Sequence, residues 1–126
     1  MRPANPTLTQ HELEIMKIVW RLKNATVRDV YEALLERRKI AYTSVMTTMN
    51  TLEEKGHLTR RAVAGDRAYF YQPARPEAQV IRAMVREFVN RVFDGSAEPL
   101  MVHLVKEKRL SRRELAEITR MIRENE

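Results

Sequence analysis

The chain has 126 residues, 44% of them hydrophobic, which is enough to bury a core in one domain or two small ones. It has no cysteine, so disulfides and thiolate metal sites are excluded, and the composition fits a reducing cytoplasm. Lys and Arg total 23 against 17 Asp and Glu, and the net charge of +6 is uneven: residues 1–75 carry 13 basic and 8 acidic side chains (+5), residues 76–126 carry 10 and 9 (+1).

Residues 1–8 hold two prolines and no periodicity, which predicts an irregular arm. This N-terminus lacks the apolar stretch of a signal peptide, and no apolar run nears the about 20 residues of a membrane span, so a cytoplasmic protein without membrane insertion is expected. Thr9-Gln10-His11-Glu12 is a capping-box pattern, in which the Thr9 hydroxyl takes the N3 amide and Glu12 reaches back. Leu13, Met16, Ile18, Val19 and Trp20 then predict a helix ending near Lys23-Asn24. After an extended break at Ala25-Thr26, Thr26 and Asp29 form a second box. They open a helix with Val27, Val30, Tyr31, Leu34 and Leu35 on its apolar side. The run Glu36-Arg37-Arg38-Lys39 is expected at its C-terminus, where the macrodipole favours positive charge, with a phosphate contact as the alternative role.

The next stretch, Ala41 to Leu58, organises the rest. Wound as a helix from Thr43 to Lys55, it puts Val45, Thr48, Met49 and Leu52 on a narrow apolar stripe. Thr43, Met46, Thr47 and Asn50 lie opposite or to the flank, short and mostly uncharged. A solvated face would carry Lys and Glu there, as this helix does only at Glu53, Glu54 and Lys55. Short side chains with hydrogen-bonding groups let a helix approach a partner closely, as entry into a DNA major groove requires. Gly56 is expected to end the helix.

Beyond it the period falls to about two. Leu58–Ala64 and Arg67–Gln72 flank Gly65-Asp66 and predict a hairpin with Gly at the first turn position. Arg60, Arg61 and Arg67 lie near its tip. A solvated β-ribbon would also carry arginines. Three helices followed by a basic hairpin, however, is the order of a winged helix-turn-helix, whose third helix enters the groove and whose wing follows the phosphates.

After the Pro-bounded joint Gln72–Pro76, Ile81, Val85, Phe88 and Val92 repeat at 4, 3, 4, a heptad-like seam. Pro76 suits a helix start, and Asp94-Gly95 is expected to stop the helix. Ser96 is expected to cap the next one, with Leu100, Met101, Leu104 and Val105. Ser111 and Glu114 make a third capping box before Leu115, Ile118, Met121 and Ile122. Three short helices in about fifty residues are a poor independent core. A second copy would cover their apolar faces, and two-fold symmetry would match a palindromic DNA site.

The expected fold is therefore mainly α with a small β-hairpin wing: a winged helix-turn-helix domain over 1–75, followed by a three-helix dimerisation region over 76–126. The DNA-binding residues expected are Thr43, Ser44, Met46, Thr47, Asn50, Arg60, Arg61 and Arg67. Those for dimerisation are Ile81, Val85, Phe88, Val92, Leu104, Leu115, Ile118 and Ile122. His11, His57 and His103 lack ligand-like spacing, and there is no Gly-rich phosphate loop, nucleophile elbow or suggestive carboxylate pair. No enzyme, metal or cofactor is expected.

LTQHELEIMKIVW, TVRDVYEAL, AYTSVMTTMNTLEEKGHL, YFYQP and FDGSAEPLMVHLVKEKRLSRRELAEI resemble, in order, the penicillinase repressor family. The match runs from Leu8 to about Ile122. Its signposts are Leu8-Thr9 with Glu12, Trp20, Thr47 to Leu52, Lys55-Gly56, Tyr71-Gln72-Pro73, Gly95-Ser96 and Leu110-Ser111; each is ordinary, and their order is specific. The resemblance implies a homodimeric repressor on double-stranded operator DNA, a short inverted repeat with TACA/TGTA-like half-sites. Thr51 stands where many members carry a basic residue. Antibiotic-responsive members are inactivated by a sensor protease, a membrane protein, at an Asn-Phe bond. The corresponding pair here is His103-Leu104, a departure at the candidate cleavage region. With no cysteine the chain departs from the copper-responsive branch. Two alternatives stay open: a ligand-sensing dimeric winged-helix regulator, and a winged-helix protein-interaction module with no role on DNA.

Overall fold

The computed structural model describes residues 8–124. The irregular arm expected over residues 1–8 lies outside the described residues except for Leu8, which is buried in the core. Leu8 precedes the Thr9 N-cap and Leu13 is the fourth helical residue, the two positions of a hydrophobic staple, and both belong to the core. That pairing explains why Leu8 is ordered where composition alone suggests an arm.

The described elements are α1 (Gln10–Leu22), α2 (Val27–Leu35), α3 (Tyr42–Glu54), β1 (Leu58–Ala62), β2 (Tyr69–Pro73), α4 (Glu77–Val92), α5 (Glu98–Lys106) and α6 (Arg112–Glu124). They form two compact units, Met1–Met84 and Val85–Glu126.

In the first unit the boxes at Thr9/Glu12 and Thr26/Asp29 both close, each with reciprocal bonds of 2.9 and 3.1 Å. Ile15, Met16, Val19, Val30, Leu34, Val45, Met49 and Leu52 of the three helices are fully buried together, and Leu58 and Tyr71 close the core from the hairpin. Ala25, the extended break, bonds Tyr71 in both directions (N to O 3.0 Å, O from N 2.8 Å), so a third extended segment backs the wing. The Trp20 indole N–H donates to the Arg75 carbonyl at 3.0 Å and ties the joint to α1. Pro76 accepts the Val80 amide just ahead of α4, and Val80 and Met84 in the first turns of α4 pack with this core.

The basic run departs from expectation. α2 ends at Leu35, with the Arg37 and Arg38 amides turning back onto the Leu34 carbonyl. Arg38 does not serve the helix end: its guanidinium reaches α1, 2.8 Å from Glu14 Oε1 and 3.0 Å from His11 Nδ1. A full carboxylate charge at hydrogen-bonding distance is a stronger partner than a solvent-screened half-charge.

The hairpin also departs from the two-residue turn. The strands pair in register Leu58↔Pro73 to Ala62↔Tyr69, leaving a six-residue loop from Val63 to Ala68. The Asp66 amide bonds the Val63 carbonyl (3.0 Å) and Gly65 has φ +82° while Ala64 stays negative, a type II turn whose twist does not match two right-twisted strands. The Asp66 carboxylate then takes the Ala68 amide at 3.0 Å, diverting it from the ladder.

In the second unit, α5 starts at Glu98 with Ala97 as its N-cap and no side-chain cap, which corrects the assignment of Ser96. Ser96 is drawn into the preceding turn, its amide bonding the Phe93 carbonyl, and Pro99 supplies the helix start instead. Ser111 and Glu114 do close the third box. Phe93 stacks edge-on to Phe88 (centroids 5.8 Å) and tilts over His103 (5.9 Å). Among the described residues of this unit only Val89 is buried.

Candidate nucleic-acid interface

α3 divides as its sequence requires. Val45, Met49 and Leu52 are fully buried and Thr48 half-buried, so the stripe is the core side. Thr43, Ser44, Met46 and Thr47 are exposed and Asn50 half-exposed, so the structure brings the five expected groove residues onto one outward face. Between Tyr42 and Leu52 there is no charged side chain. Thr51 is turned inward on its own helix, its hydroxyl donating to the Thr47 carbonyl at 3.0 Å. The N-terminus of α3 differs from those of α1 and α2. Ala41 offers no capping side chain and the first turn has no acid; the Ser44 amide bonds the Ala41 carbonyl at 3.1 Å, and no side chain caps this end.

Lys55, just past α3, ion-pairs with buried Glu12 at 2.7 Å. Burial pushes the Glu12 carboxyl up, but hydrogen bonds from Lys55 and the Thr9 amide, with the Lys55 charge, outweigh it and hold it below the usual glutamate range. α3 is thereby fixed at its C-terminal end as well as along its stripe.

On the hairpin the three arginines are exposed but not equivalent. Arg60 stands opposite Tyr71, and its guanidinium lies over the Tyr69 ring at 4.5 Å. A hydrogen bond with Tyr71 holds its pKa above the ordinary arginine value. Arg61, opposite Phe70, points from the other face, and Arg67 stands in the loop. Tyr71 itself is 3% exposed, and its hydroxyl donates to Asn50 Oδ1 at 3.0 Å. Alternation along β2 is enough to put Tyr71 on the inner face with Leu58. Nothing in the sequence links it to Asn50, and it is absent from the residues expected at the interface.

The residues expected for dimerisation share one property: none is buried in the single chain. Val85, Phe88, Val92, Ile118 and Ile122 are 38–57% exposed, while Ile81, Leu104 and Leu115 are half-buried. His103 and Leu104 lie within α5, where the His103 carbonyl takes the Glu107 amide at 2.9 Å. A protease acting there would first have to unwind that helix. Among the described residues no group of three or more His, Cys, Asp or Glu is placed to hold a metal, and no helix is long and apolar enough to cross a membrane.

A sequence profile of a family described as penicillinase repressor matches residues 8–124. Transcriptional regulator BlaI of Mycobacterium tuberculosis is 33% identical over 114 residues, 85% of this chain and 81% of that protein. The solution structure of the Bacillus licheniformis BlaI monomeric form in complex with the blaP half-operator is similar with TM-score 0.51 at 23% identity. It covers 62% of this chain and 92% of that one. A crystal structure of a MarR mutant from E. coli covers 93% of this chain and 76% of that one, with TM-score 0.56 at 13% identity. At these identities the two solved structures bear on the fold alone, a winged helix.

Proposed function

The chain belongs to the penicillinase repressor family of winged-helix transcriptional repressors, which are not enzymes, and from that premise we propose that it binds an inverted-repeat operator as a homodimer. The observation that carries this reading is the outward face of α3, uncharged from Tyr42 to Leu52, together with the exposed arginines of the wing. Thr47 and Asn50 read base edges and Met46 makes apolar contact, for instance with a thymine methyl. Thr43 and Ser44, in the uncapped first turn, sit on a phosphate, and Arg60, Arg61 and Arg67 follow the backbone.

Residues 1–75 form the reading domain and residues 76–126 the dimerisation region. The exposed apolar side chains Val85, Phe88, Val92, Ile118 and Ile122 support the second assignment, because the unit Val85–Glu126, with Val89 alone buried among its described residues, needs a second copy to cover it. Ile81, Leu104 and Leu115 continue that seam. Cleavage at His103-Leu104 by a membrane sensor protease would separate α6 from the seam and release the operator without touching α3. The deciding test is Asn50→Ala on full-length protein. Specific affinity should fall by about 1–3 kcal/mol with preference relaxed at one position per half-site. An equal loss on random DNA would make α3 a positioning helix only.

A further inference from the structure

We propose that Tyr71, buried in the second strand of the wing, is a positioning residue that fixes the side-chain amide of Asn50 so that α3 presents a hydrogen-bond donor, Nδ2, to the groove. The inference rests on the reading of Asn50 as a base contact and says which edge Asn50 selects: one that offers an acceptor, such as guanine O6 or N7 or thymine O4.

An asparagine amide can be turned either way, and the two orientations read opposite patterns. Here the Tyr71 hydroxyl lies 3.0 Å from Asn50 Oδ1. Its proton has a single productive destination. Tyr71 is 3% exposed, so an undonated hydroxyl hydrogen would stay unsatisfied away from water. Its partner across the strands is Arg60, whose guanidinium can only donate and so offers the hydroxyl no second acceptor. The hydroxyl therefore donates to Asn50, which must offer its carbonyl oxygen. The amide nitrogen is left on the half-exposed side of the residue, with no protein acceptor among the described residues. Base preference on α3 is thus set in part by a strand residue that touches no DNA.

The test is selection from a library of randomised duplexes by full-length wild type, Tyr71→Phe, Asn50→Ala, the double variant and Asn50→Asp, with thermal melting of each. Wild type should select a two-fold motif, and Asn50→Ala should lose preference at one position per half-site. Tyr71→Phe, which keeps the ring, should lose about fivefold or more in discrimination at that same position and little elsewhere. The double variant should lose no more than Asn50→Ala alone. Asn50→Asp keeps an acceptor for Tyr71 but turns an oxygen outward, so the base chosen should switch to one offering a donor, cytosine N4 or adenine N6. This switch shows that wild-type Asn50 presents its donor to the groove, and an unswitched base counts against the proposal even where Tyr71→Phe melts too low to assay. Retained preference in Tyr71→Phe, uniform loss at every position, or an unswitched base in Asn50→Asp each overturns the positioning role. Full preference in Asn50→Ala overturns the base contact itself, and no motif for wild type overturns the operator reading.

Discussion

Lys55 Nζ lies 2.7 Å from Glu12 Oε2, and Glu12 Oε1 takes the Thr9 amide at 2.9 Å, so one buried carboxylate both caps α1 and anchors the end of α3. The pair is 43 residues apart and ties the end of α3 to the start of α1. Lys55→Met should leave Glu12 buried without its cation. Because Lys55 is 35% exposed, the cost is discounted from the fully buried case to about 1–3 kcal/mol in urea unfolding. Stability unchanged within error would reduce the pair to a surface contact.

The same carboxylate gives a pH dependence. Its folded pKa is lowered, so its contribution is fully present above the ordinary glutamate value of about 4.3 and is lost as pH falls through the lower folded value. Glu12→Gln retains a capping residue but not the charge. Wild type should therefore exceed Glu12→Gln in melting temperature at pH 7, and the gap should close below about pH 4.3. A gap that stays constant down to acid pH would contradict this. Glu14, held low chiefly by its hydrogen bond from Arg38, adds to the acid sensitivity of both proteins equally.

Local features of this fold are legible in the sequence, and long-range ones are not. The three capping boxes involve partners three residues apart, and their chemistry is complete within one helical turn. The α3 stripe follows from periodicity alone. Arg38 to Glu14 and Tyr71 to Asn50 cross 24 and 21 residues, and each exists because packing brings elements together. The basic run after α2 has a sufficient local explanation in the helix dipole, and a tertiary carboxylate displaces it. The hairpin tip is a local exception: Gly65 fits two turn geometries, and the Asp66 side chain, bonding the Ala68 amide two residues on, decides between them.

At the wing, alanine at Arg60, Arg61 or Arg67 should weaken specific and random duplex alike. Each should flatten the log–log salt dependence by about one unit per lost phosphate contact. Arg60→Ala should cost the most affinity, because its guanidinium is already ordered over Tyr69 and has less side-chain entropy to lose on binding. Unchanged slopes in all three variants would remove the wing from the interface.

In the seam, Phe88 is 40% exposed in the single chain. Phe88→Asp should place an uncompensated carboxylate in the dimer contact and weaken association by about 3–5 kcal/mol, more than a hundredfold. Analytical ultracentrifugation should then find a folded monomer where wild type is a dimer. A variant that stays dimeric would move the seam elsewhere.

On the proposed function, two linked copies read two half-sites at once. That reading is tested most directly by titrating full-length protein against a palindromic duplex, a half-site duplex and a scrambled duplex at physiological salt, reading affinity and stoichiometry together. Two chains should bind the palindrome, with an affinity about 10²–10⁴ above the half-site because the second contact is effectively intramolecular. Equal affinity for palindrome and half-site, or for palindrome and scrambled duplex, would contradict it.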